Sequence, residues 1–180
     1  MAVALFDLSQ AFSTQEMTER CFACGGVFDP ERGGAVHAYM LSTSGCWAAY
    51  GRLLEREYSD PALFKASHRL TVDAYALQHP GRADDPRAVQ SVWLHAASLW
   101  LVLKLGTDHA FATSSLKALV AKTPSALPKP PPQFAVTHAD ILANPIADHE
   151  ARVRHWASAT LEDRSDLHGD VERLAGKIAG

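Results

Sequence analysis

Three cysteines constrain this 180-residue chain more than any other feature: Cys21, Cys24 and Cys46. Their odd number, in a chain whose opening Met1-Ala-Val-Ala-Leu-Phe-Asp7 carries neither a basic leader nor a long apolar stretch, argues against a disulfide framework. Cys21-Phe-Ala-Cys24-Gly-Gly lets two thiolates reach one ion from a tight knuckle, and glycine permits the backbone turns the knuckle needs. Redox chemistry would want a strand before the pair and a helix after it. Here the preceding residues read as helix and the following ones, rich in glycine with Asp29 and Pro30, read as loop. Cys46 follows Ser42-Thr-Ser-Gly, which opens a helix running to about Tyr58. A thiol in a first helical turn is favoured as thiolate by the backbone N–H groups that point at it. Cys46 is therefore the third candidate ligand, its alternative being a small buried hydrophobe. Thiolate softness and spacing favour zinc over iron.

Tetrahedral zinc needs a fourth ligand, and the candidates are His37, His68 and His79. The last two belong to a helix capped by Asp60, with Pro61 in its first turn and Pro80-Gly81 as its stop. Eleven residues of helix separate them by roughly 16 Å, so one ion cannot take both. Two antiparallel helices, 46–58 and about 62–79, bring the start of the first near the end of the second. That geometry favours His79, with His68 as the alternative. On a helical wheel His68, Thr71, Val72, Tyr75, Gln78 and His79 share one side, opposite a core stripe of Leu70, Ala74 and Leu77. The polar side reads either as an exposed face or as a pocket wall beside the metal. In the second case His68, Asp73, Tyr75 and Gln78 are the candidate catalytic residues, with Asp73 placed to orient a histidine.

Taken together, Cys21-x-x-Cys24-Gly, His37-Ala-Tyr39, Gly45-Cys46-Trp47, the helix motif from His68 to Gly81 and the stretch around Asp148, His149, His155 and Trp156 resemble an uncharacterised bacterial family, domain of unknown function 5946. The resemblance implies a small, mostly helical protein whose Cys/His metal site is formed by Cys21, Cys24, Cys46 and one of His68 or His79. It implies no activity.

The remaining pattern is helical: about 86–105 with a wide apolar stripe through Trp93 and Trp100, then 108–122, 138–143, 147–162 and 166–178. Ser13 to Glu16 has capping-box spacing and starts a further short helix ending near Arg20. No strand pattern is present. His95 sits beside the apolar stripe and reads as a hydrogen-bonded core group. The expected fold is all-α: one domain over 1–180, a helical bundle (46–180) with an N-terminal zinc-knuckle loop (13–46) and a proline-rich connector at 124–132. A formal net charge of −3, with no basic cluster near the cysteines, excludes nucleic acid, and no apolar run reaches the ~20 residues that cross a bilayer. The expectation is a soluble, cytoplasmic protein whose partner is a small molecule or another protein. Two functions stay open. The ion is structural in a binding or adaptor module, or it is a Lewis acid in a metal-dependent enzyme with His68, His79 and Tyr75 lining its pocket. Three thiolates weaken a Lewis acid, which tilts the reading to the structural role.

Overall fold

A computed structural model describes residues 18–34 and 36–179. Among these the chain forms seven α-helices and one two-stranded sheet. β1 (Glu19–Arg20) pairs antiparallel with β2 (Val27–Phe28), Glu19 opposite Phe28. α1 (Ser44–Tyr58), α2 (Pro61–Gln78), α3 (Pro86–Leu103) and α4 (His109–Leu119) follow. A proline-rich segment leads to α5 (His138–Leu142), α6 (His149–Asp163) and α7 (His168–Ala179). The all-α expectation holds for the bundle. The hairpin is the departure: Glu19 and Arg20 are strand where helix was expected, and the rest of that expected helix, from Ser13, lies mostly outside the described residues. Two residues per strand are too few for alternation to register in a sequence.

Local chemistry sets the helix ends. Asp60 caps α2 by accepting from Ala62 and Leu63, and Asp85 caps α3 through the Arg87 amide, each with proline in the first turn. α2 and α3 form the spine. α1 and α6 pack on α2, and α4 and α7 pack on α3. The core they share includes Leu53, Leu70, Leu77, Trp93, Leu99, Trp156 and Leu161. From Ser67 onward α2 is largely buried, including most of the polar side that reads above as either an exposed face or a pocket wall. Some of its polar groups find partners inside: Gln78 donates to the Val136 carbonyl at 2.7 Å and to Thr160 Oγ1 at 2.8 Å, while Gln78 Oε1 and Ser67 Oγ have none.

The proline-rich segment lies on the bundle as a strap. Trp93 Nε1 donates to the Ala126 carbonyl at 3.0 Å, and the buried Arg164 reaches the Pro128 carbonyl at 3.4 Å. Its last residues meet the hairpin, where the Phe134 amide donates to the Cys24 carbonyl at 3.3 Å.

The hairpin docks on the N-terminus of α1 because Gly45 has no side chain there. Its amide donates to Glu19 Oε1 at 2.7 Å. A Cβ at this position would run into the Asp29 carbonyl oxygen and stand 2.6 Å from Glu19 Oε1. Gly45→Ala is expected to lower stability by about 1–3 kcal/mol through overpacking, read as a lower urea midpoint with α-helical content unchanged at zero denaturant.

Candidate metal centre

The centre begins with the turn between the strands. The Cys21 amide donates to the Gly26 carbonyl at 2.8 Å, and the Gly25 amide donates to the Cys21 carbonyl at 2.9 Å. Gly25 carries φ +79°, a left-handed conformation that glycine adopts without Cβ strain. The Gly26 amide donates to Cys24 Sγ at 3.4 Å. The knuckle thus turns two sulfurs toward the bundle, and the Gly26 N–H works toward the thiolate form of Cys24.

Two helices supply the other two candidate ligands. Thr43 caps α1 by accepting from the Cys46 amide at 3.4 Å, which holds Cys46 in the first turn. His79 is the C-cap residue of α2, and its Nδ1 lies 2.8 Å from the Tyr75 carbonyl. A carbonyl only accepts, so Nδ1 carries the proton and Nε2 presents its lone pair. That nitrogen stands 3.2 Å from Cys46 Sγ. Cys21, Cys24, Cys46 and His79 place one ligand atom each within 4.8 Å of one another, and all four residues are buried. In a tetrahedral zinc site with Zn–S near 2.3 Å, the sulfurs stand about 3.8 Å apart, so the group has the donor set and spacing to hold a metal ion.

Crowding splits the acidities of the sulfurs. Hydrogen bonds from Cys24 and Cys46 hold the Cys21 thiol far below its ordinary range. Cys24 is pushed up to about 12, and Cys46 is pushed up as well, in both cases first by the hydrogen bond to Cys21. One thiolate shared by three sulfurs is the arrangement that protein atoms alone favour; a cation is what lets all three ionise. Around them, burial raises Tyr75, keeping its phenol protonated 3.7 Å from Cys46 Sγ. Burial, and then His79, pushes His138 down to about 3. His138 is therefore neutral, with its Nε2–H given to the Cys46 carbonyl at 3.1 Å and its ring stacked on Phe28.

The other sequence candidates do not join this group. His68 pairs with Glu57 through Nδ1 at 2.9 Å, about three helical turns from His79. Asp73 orients a histidine, but that histidine is His95, at 2.7 Å, and Arg69 binds the same carboxylate. Gln78 is committed to Val136 and Thr160, and only Tyr75 touches a ligand sulfur. His37 accepts from the Tyr39 amide at 3.1 Å and packs near Trp47.

The chain belongs to a family of unknown function, DUF5946. The family model matches residues 19–165, from the first strand of the hairpin to just past α6. All four centre residues fall inside this span, while α7 lies beyond it. No curated protein and no solved structure matches the chain.

Sequence reasoning passed over Glu57 and His138. Glu57 had a legible signal: it continues the Cys46, Tyr50, Leu53 series on the inward stripe of α1, where a carboxylate is out of place. His138 had none, because α5 is a five-residue helix and shows no periodicity.

Metal loading of this DUF5946 protein at neutral pH is expected to release one proton each from Cys24 and Cys46, the two thiols held up in the metal-free protein. Titration calorimetry with zinc in buffers of different ionisation enthalpy measures that number, and affinity is expected to fall as pH falls.

Proposed function

We propose that this chain is a zinc-binding helical module whose ion is structural, and that it acts by binding rather than by chemistry at the ion. The observation that carries the reading is the closure of the donor set: three sulfurs and one imidazole, all from the protein and all buried. Four such ligands complete a tetrahedral sphere and leave no position for water or substrate. Zinc is favoured because thiolate and imidazole suit it and because the ligand number matches its usual geometry.

The placement of the ligands supports the same role. The hairpin supplies two of them, the first turn of α1 one, and the C-cap of α2 one. The hairpin has only two residues in each strand, too little to stand without packing or a metal. An ion would clamp it onto the bundle, and through the bond from Phe134 to Cys24 it would also hold the end of the proline-rich strap. Glu19, Tyr75, Gly26 and Arg20, whose guanidinium donates to the Gly25 carbonyl at 2.6 Å, then act as positioning groups around the ligands. No proton-transfer role at the centre falls to His68, Asp73 or Gln78, because each is engaged elsewhere.

The test is elemental analysis of the purified protein beside Cys24→Ser, His79→Ala and His68→Ala. One equivalent of zinc is expected in the wild type and in His68→Ala, and much less in the other two. Chelation is expected to lower the thermal midpoint and expose the hairpin to protease. Stoichiometric zinc in His79→Ala, or an unchanged melting curve after complete zinc removal, overturns the structural reading.

A further inference from the structure

The end of α2 remote from the sulfurs holds a second constellation of buried polar groups. Glu57 is fully buried near the end of α1, and three groups converge on its carboxylate. His68 Nδ1 lies 2.9 Å from Oε2, His149 Nε2 lies 3.1 Å from Oε1, and the Thr71 hydroxyl donates to Oε1. An ionised carboxylate only accepts, so each of these groups must donate. His149 then carries its proton on Nε2, which leaves its buried Nδ1 a bare lone pair without a partner. His68 carries its proton on Nδ1. Its Nε2 is consequently a free acceptor, on a ring fixed by Glu57 on one side and by stacking on Phe64, at 4.3 Å between centroids, on the other.

His68 lines a cleft of about 1170 Å³ between α2, the α3–α4 connection, α4 and α6. Two cations on its wall, Lys65 of α2 and Arg154 of α6, form no ion pair among the described residues. Glu150 stands one turn from Arg154 without pairing to it. Thr107, also on the wall, has a hydroxyl with no hydrogen-bond partner. A buried carboxylate that fixes one histidine in the wall of a cleft, where two unpaired cations also stand, is more than packing two helices together requires.

We propose that this cleft is a binding site for a small molecule carrying an anionic group and a neighbouring hydroxyl. Arg154 and Lys65 hold the anion, and His68 Nε2 accepts the hydroxyl hydrogen. The site is separate from the metal centre and does not depend on that ion being structural.

The test titrates the zinc-loaded full-length protein with glycerol 3-phosphate, glycolate, inorganic phosphate and glycerol. It is followed through the side-chain nitrogen resonances of His68 and the backbone amides of the cleft. Saturable binding of glycerol 3-phosphate or glycolate is expected, with His68 Nε2 shifting, weaker binding of inorganic phosphate and none of glycerol. The phosphate and carboxylate probes together decide which anionic group the cleft prefers. Arg154→Ala and His68→Asn are each expected to weaken binding about tenfold or more, as loss of a charge-assisted or positioned hydrogen bond does. Asparagine can still donate to Glu57, so His68→Asn keeps the inner bond and removes only the acceptor. Zinc content and thermal midpoint report that each variant is folded. Absence of saturable shifts with every anionic probe at millimolar concentration overturns the proposal, and so does binding that both variants leave unchanged.

Discussion

The arrangement depends on where one sulfur sits. Cys46 occupies the first turn of α1, close enough to the α2 C-cap for Sγ to stand 3.2 Å from His79 Nε2, and close enough to the hairpin to face Cys21 and Cys24. Its carbonyl also receives the His138 proton, which ties α5 to the same turn. Hairpin, α1, α2 and α5 therefore meet at one residue. Three buried sulfurs brought this close cannot all ionise unaided, since each additional thiolate faces the field of the others in a medium of low polarity. Chain segments distant in sequence have been brought together at a cost that a cation removes. That balance is the physical reason to read the group as a metal centre and not as three cysteines that happen to share a core.

Much of the bundle was legible because its helices announce their ends. Asp60-Pro61, Asp85-Pro86 and Pro80-Gly81 place the boundaries of α2 and α3 within a residue or two, and caps of this type act locally, so a sequence reports them. The grouping of Cys21, Cys24, Cys46 and His79 was legible for a similar reason: Cys-x-x-Cys followed by glycine is a local turn, and the antiparallel pairing of α1 and α2 follows from the short connection between Tyr58 and Pro61. The hairpin was not legible, since two-residue strands leave no alternation to detect.

The polar side of α2 shows a different limit. His68, Thr71, Gln78 and His79 share a wheel face that contradicts both a plain core and a plain surface, and the pattern alone could not choose between pocket and exposure. In the folded chain it is neither for most of them. α6 and the strap cover the face and supply partners such as Val136 and Thr160 that lie 58 and 82 residues away in sequence. Polar groups satisfied by such distant partners leave no local signature, because the compensation that makes their burial tolerable lies elsewhere in the chain.

What remains is a common device at two points on one helix, its middle and its C-cap. His79 gives its Nδ1 proton to a backbone carbonyl and so turns Nε2 to the sulfurs; His68 gives its Nδ1 proton to a buried carboxylate, on a ring that lines the cleft. In each case an inner acceptor chooses the tautomer, and the outer nitrogen inherits the role of base. The inner acceptors differ in a way that matters. A neutral carbonyl orients a ligand without adding charge, which suits a centre already crowded with sulfur. A carboxylate fixes the ring through a charge-assisted hydrogen bond, which suits a side chain held in one orientation at the edge of a cleft. Eleven residues of α2 keep the two apart by about three turns. The sulfur-facing end is therefore buried while the segment around His68 borders the cleft.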